Sequence, residues 1–172
     1  LRQLEAREPG SEYGSYLELA QDQNQYGQAA SAAFQQGVSS YYQGNLEGAL
    51  GSFKQALQAN PVYQKAHVWA ARMNLELARP AQALPYWQEA SRLNPHDAGV
   101  SYFLNLTQNQ LRYGSAAYQA FQQGITFTEQ GHIAQAEQSF GQAVSYNPNY
   151  SEAWAQLGYL AEQQEDYQKA LQ

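Results

Sequence analysis

An all-α fold, a solenoid of antiparallel helix pairs with extra single helices, is predicted by three features of the sequence. The first is an internal echo. Residues 120–148, AFQQGITFTEQGHIAQAEQSFGQAVSYNP, repeat the pattern of residues 33–61, AFQQGVSSYYQGNLEGALGSFKQALQANP. Identities fall at Phe34/Phe121, Gly37/Gly124, Gly44/Gly131, Ala49/Ala136, Phe53/Phe140, Ala56/Ala143 and Pro61/Pro148, each pair 87 residues apart, as 121 stands from 34. A fixed internal period is the signature of repeat architectures. The second feature is residue size. Gly37 and Ala49 let two helix backbones approach, Phe53 fills the space between them, and Ala56 faces the next helix. The third is punctuation: Gly44 suits a left-handed helix stop, and Pro61 bars continuation of the second helix.

In chain order, residues 1–10 (LRQLEAREPG) read as a disordered leader ended by Pro9-Gly10. A single helix over 11–25 follows, with Tyr13, Tyr16, Leu17 and Ala20 at spacings of three and four on one face, and Tyr26-Gly27 breaks it. Two helix pairs then occupy 30–63 and 64–97, with Asn45 as N-cap of a helix over 46–58 and Pro80 in the first turn of one over 80–92. Residues 98–116 are too short for a pair. Shifted by 87 they fall on 11–29, agreeing at Leu17/Leu104, Leu19/Leu106, Gln21/Gln108, Gln23/Gln110, Tyr26/Tyr113 and Gly27/Gly114. The repeating unit is therefore one single helix plus two pairs. The chain holds a first unit, 11–97, and a truncated second, 98–172, made of a helix over 98–111, a pair at 117–150 and a partial pair at 151–172. About a third of aligned positions are identical, which points to duplication. The odd helix is expected to cap the pair before it, with a bend at Tyr113-Gly114 rather than one seamless helix over 98–130.

Each pair resembles the tetratricopeptide repeat, a 34-residue helix–turn–helix unit whose signature is Trp, Leu-Gly, Tyr, Ala, Phe, Ala and Pro at slots 4, 7–8, 11, 20, 24, 27 and 32. Four copies stand on that frame. The first has Gly37, Ala49, Phe53, Ala56 and Pro61, and the second Ala83, Ala90 and Pro95 with Trp87 in the Phe slot. The third has Gly124, Ala136, Phe140, Ala143 and Pro148, and the fourth Trp154, Leu157, Gly158 and Ala170. Departures include Ala33 and His67 in the Trp slot and Ala71 in place of Gly.

Composition narrows the function class. Charged residues make up 14% of the chain, against about 25% in typical soluble proteins. Scattered Gln fills the gap, without the runs of a prion-like segment. A net charge of −6 and the wide separation of Lys54, Lys65 and Lys169 leave no basic footprint for nucleic acid or anionic lipid. No cysteine is present, so disulfides, thiol catalysis and cysteine-ligated metal are excluded. No apolar run reaches the roughly 20 residues of a membrane helix, and no signal peptide stands at the start. Opening at Leu1 and ending inside a repeat, the chain reads as a fragment of a longer protein. Its low lysine and high Gln, Asn and Tyr lean toward an exported bacterial protein.

Catalysis has little to stand on. His67, His96 and His132 are far apart with no paired-ligand spacing, the carboxylates are dispersed, and no phosphate-cradling glycine loop is present. Glu162, Glu165 and Asp166 read as a solvated face. No catalytic residue, cofactor or metal is assigned, and an enzyme is only a remote alternative. The resemblance instead implies a non-catalytic module for protein–protein interaction. In that family the first helix of each repeat lines the concave groove through slots 2, 5, 9, 12 and 13. Carried over, these slots make Val38, Tyr41 and Tyr42 groove candidates in the first copy, and Lys65 and Arg72 in the second. Tyr118, Phe121 and Ile125 come from the third copy and Tyr159 from the fourth. Such aromatics suit a peptide or helix of a partner protein. Phe34 and Phe121 equally suit packing inside the unit. The resemblance also argues against capture of a C-terminal carboxylate by Lys and Asn at slots 5 and 9, because Phe34 and Val38 stand there. Lys65 and Arg72 are left to meet an acidic ligand group. The alternative is self-association, through an apolar face of Trp154, Leu157 and Leu160.

Overall fold

The computed structural model describes residues 12–170, with side chains from 17 to 164, so the leader expected over 1–10 lies outside the described residues. Those residues form helices α1 (Glu12–Tyr26), α2 (Gln28–Tyr42), α3 (Leu46–Ala59), α4 (Gln64–Glu76), α5 (Pro80–Leu93), α6 (Ala98–Tyr113), α7 (Ser115–Glu129), α8 (Ile133–Tyr146) and α9 (Ser151–Ala170), and no strand occurs among them. The architecture is all-α, a helical repeat solenoid of nested pairs. The chain parts into two compact units, the first through Leu104 and the second from Asn105. The division falls inside α6.

Local chemistry explains the ends. The Asn45 side chain accepts from the Gly48 backbone N–H at 2.9 Å, capping α3, and Pro80 opens α5 at a position where its missing N–H costs nothing. Asp97 accepts from the Val100 N–H at 3.0 Å in the first turn of α6. Helices α1 and α2 are divided by Gly27 at φ 91, ψ 155, and α6 and α7 by Gly114 at φ 87, ψ 145. Few residues with a Cβ adopt that backbone, so one glycine replaces a loop at each junction. No helix runs seamlessly over 98–130.

In the first unit α2 packs on α3, α3 on α4, and α4 on α5. Phe53 of α3 is fully buried where it crosses α2, and a Cβ added at Gly37 would stand 2.6 Å from its ring. The single helix α1 is held by aromatic and polar contacts. Tyr26 stacks on Tyr63 with centroids 4.1 Å apart, a contact worth about 0.5–1.5 kcal/mol beyond its area. Asn60 Nδ2 donates to the Tyr26 carbonyl at 3.0 Å, and the Tyr63 hydroxyl donates to Asp22 at 2.7 Å. Burial, then the Asp22 carboxylate, push the Tyr63 hydroxyl far above its ordinary pKa. At the other end of this unit, Val100 and Leu104 of α6 join Ala71, Ala83, Trp87 and Ala90 in one core, and Phe103 stacks on Trp87 at 5.3 Å. The first half of α6 thus covers the last pair, as the odd helix was expected to do.

The second unit repeats this scheme. Tyr113 stacks on Tyr150 at 3.9 Å, Asn147 Nδ2 donates to the Tyr113 carbonyl at 3.0 Å, and a Cβ on Gly124 would stand 2.5 Å from the Phe140 ring. The ionic details differ. Glu152, in the place of Lys65, accepts from the Tyr113 hydroxyl at 2.6 Å. That hydrogen bond, with help from Ser151, holds the Glu152 carboxyl below its ordinary pKa. A depressed folded pKa contributes stability above the unfolded value and loses it as pH falls through the folded one. Acid titration followed by near-ultraviolet circular dichroism is therefore expected to show a tyrosine signal from this junction fading below the ordinary carboxylate range. In Glu152→Gln that step should be absent.

Candidate interaction face of the first unit

The first helices of the two pairs, α2 and α4, bring four sequence-predicted residues together. Val38, half-buried, packs on the core of the unit. Tyr41 is half-buried, and Tyr42 beside it is 79% exposed, the highest value among the described large apolar side chains. From α4 comes Arg72, its guanidinium carbon 4.8 Å from the centroid of the Trp69 ring. Trp69 joins the set: Tyr41 meets it edge-on at 5.1 Å, Tyr42 meets Tyr41 at 5.7 Å, and Phe53 stacks beneath it at 5.4 Å. The result is a row of rings, anchored on the core through Phe53 and open at Tyr42.

Trp69 is the residue that reading by repeat slots missed, because slot 6 is not among those that line the family's groove. Its signal was present nonetheless. It stands four residues after Lys65 and three before Arg72, on one helical face with both.

Lys65 is otherwise engaged. Its ammonium lies 2.8 Å from Glu18 and 3.0 Å from Asp22 of α1, the latter carboxylate only 5% exposed. Burial pulls the Lys65 pKa down, but the hydrogen bonds to Glu18 and Asp22 hold it above the ordinary value. This lysine ties α1 to α4.

In the second unit the candidates are dispersed. Phe121 is half-buried against Phe140 (5.5 Å) and Tyr150 (4.9 Å), and its counterpart Phe34 is buried against Phe53 and Tyr63. Tyr118 is 9% exposed, and Ile125 packs beside Ala136, Phe140 and Leu160. Tyr159 is 52% exposed on α9, its hydroxyl accepting from the Gln163 amide. The apolar face expected from Trp154, Leu157 and Leu160 is corrected. Leu160 is fully buried against Phe140 and Ala136, and Leu157 packs on the same core, because α8 takes up that side of α9. Only Trp154, at 54%, stays largely exposed. Of the expected solvated face, Glu162 is exposed, while the side chains of Glu165 and Asp166 lie outside the described residues.

His67 has a plain structural setting. His67 is buried with Nε2 2.8 Å from the Pro61 carbonyl, and Trp154, its counterpart 87 residues on, donates its indole N–H to the Pro148 carbonyl at 2.9 Å. The aromatic in slot 4 thus pins the preceding turn in both units. An open cleft of about 470 Å³ beside His67 is lined by Lys54, Leu57, Gln58, Pro61 and Tyr86. Among the described residues no group of three His, Asp or Glu side chains is placed to hold a metal ion, and no helix is long and apolar enough to cross a membrane.

A tetratricopeptide repeat family model matches residues 34–98 and 121–172. Among curated proteins no relative of the chain was found. Among solved structures, a crystal structure of MamA protein superposes with TM-score 0.52 at 16% identity, covering 84% of this chain and 87% of that one. A double mutant of MamA from strain RS-1 gives 0.50 at 16% identity, covering 85% and 90%. At such identity these likenesses speak for the fold. With the family model spanning both units, the chain belongs to the tetratricopeptide repeat family.

Proposed function

We propose that this chain is a non-catalytic protein-interaction module, and that the first unit binds a peptide or helix of a partner protein on the face of Val38, Tyr41, Tyr42, Trp69 and Arg72. The observation that carries this reading is an internal control. Residues that build the fold are kept between the units: Tyr26/Tyr113, Phe34/Phe121, Gly37/Gly124, Phe53/Phe140, Asn60/Asn147 and Tyr63/Tyr150. Residues of the row are not. At the same 87-residue spacing Tyr41 gives way to Thr128, Tyr42 to Glu129, Trp69 to Gln156 and Arg72 to Tyr159. Since the second unit folds with the same core geometry and none of these side chains, the fold does not require the row. Half-buried aromatic and arginine side chains on a rigid platform, with Tyr42 exposed at its end, are what protein interfaces are enriched in.

The test begins with peptides selected from a displayed random library on the immobilised chain, their affinity then measured by fluorescence anisotropy. Tyr42→Ala is expected to weaken them about tenfold or more and to leave the melting temperature within about 2 °C, since surface substitutions mostly stay within about 0.5 kcal/mol. Unchanged affinity would remove the face from consideration. A second reading, self-association, is favoured by the exposure of Trp154 and Tyr159 on α9. Light scattering that reports a monomer at every concentration would end it.

A further inference from the structure

We propose that the face of the first unit selects a partner segment carrying an aspartate or glutamate close to an apolar anchor, with Arg72 as the receptor for the carboxylate. This rests on the reading of the face as a partner site and specifies its chemistry. The chain carries fifteen carboxylates for nine cations, so an arginine without an internal partner is the less expected state. Its neighbours in the first unit follow the expectation: Lys65 pairs with Glu18 and Asp22, Arg79 with Glu47 at 2.6 Å, and Arg92 with Glu89 at 2.5 Å. Arg72 alone among the described arginines of this unit has no ion pair, although Glu76 stands one turn further along α4. Lys54, the other described cation of this unit without an ion pair, belongs to the cleft beside His67 and Tyr86.

The guanidinium is not idle. Held over the Trp69 ring by a cation–π contact, it keeps N–H donors for an acceptor. The platform is fixed, because Trp69 rests on buried Phe53 and is met edge-on by Tyr41. An arginine held in this way loses little freedom when it forms the paired hydrogen bonds that a carboxylate accepts. Tyr41 meets the same Trp69 ring and Tyr42 meets Tyr41, so the apolar anchor and the carboxylate of one short segment are received together. At the matched positions the second unit carries Tyr159 and Gln156 in place of Arg72 and Trp69.

The experiment sequences the peptides enriched from the random library on the native chain and on Arg72→Gln, with circular dichroism confirming equal helicity. On the native chain, Asp or Glu should recur within a few positions of an aromatic or aliphatic anchor. On Arg72→Gln the anchor should persist without the acid. In one native-selected peptide, Glu→Gln should weaken binding to the native chain about tenfold, as fits a charge-assisted pair, and binding to Arg72→Gln less than about twofold. Anchors enriched on the native chain without acids would overturn the carboxylate proposal and leave the partner face standing. No enrichment, or peptides that bind Tyr42→Ala unchanged, would overturn both. So would a concentration-dependent dimer that such peptides dissociate, since the occupant would then be a second copy of the chain.

Discussion

Phe53→Ala is expected to lower the unfolding free energy of the first unit by about 3–5 kcal/mol, read as a shift in its urea transition. The ring is fully buried at the crossing of α2 and α3, touches Phe34 at 5.4 Å, and carries Trp69 on its other side at 5.4 Å. Removing it leaves a hole that cannot collapse, because Gly37 opposite has no side chain to move in. Phe140→Ala should cost the second unit a similar amount, since Phe140 is also fully buried, against Phe121 and Gly124. Because Trp69 stands on Phe53, the first substitution should also disturb peptide binding, and Phe140→Ala should not. A loss below about 1 kcal/mol at either site would mean that these rings do not hold the crossings.

Gly37→Ala carries the second large effect, and its sign is the informative part. In an ordinary helix interior this change gains about 1 kcal/mol, because alanine restricts the unfolded chain and favours the helix. Here the new Cβ would lie 2.6, 2.7 and 2.9 Å from three atoms of the Phe53 ring. No ring edge in a filled core yields that much without moving its neighbours, so overpacking of about 1–3 kcal/mol should overtake the gain. Gly51→Ala is the control within the same unit. Gly51 lies in the interior of α3 and has nothing within 4 Å of a built Cβ, so it should show the stabilisation alone. Opposite shifts in melting temperature for the two variants are the expected outcome; two shifts of the same sign would contradict the crossing geometry.

The parts of this structure that sequence made legible are those encoded by residue size and punctuation at fixed intervals. Gly37 facing Phe53, the Asn45 cap, Pro80 opening α5 and the breaks after Tyr26 and Tyr113 all follow from local rules acting twice, 87 residues apart. What stayed hidden depends on pairing between distant helices. Lys65 reads as a free groove cation until α1, 43 and 47 residues earlier, brings Asp22 and Glu18 to it. Leu160 reads as part of an exposed stripe until α8 covers that side of α9. Trp69 lies outside the slots that line the family's groove, yet its ring reaches Tyr41 because Phe53 lifts it there. Each of these is settled by a neighbour that periodicity along one helix does not specify.

The most direct measurement exchanges four residues of the first unit for their counterparts in the second: Tyr41→Thr, Tyr42→Glu, Trp69→Gln and Arg72→Tyr. The variant's helicity, melting temperature and binding of library-selected peptides are then compared with those of the native chain. A helical, cooperatively melting protein that no longer binds the peptides is the predicted result, because the second unit already folds around the substituted residues. Peptide binding at native affinity, or a first unit that fails to fold, would contradict the claim that this row of rings serves a partner rather than the core.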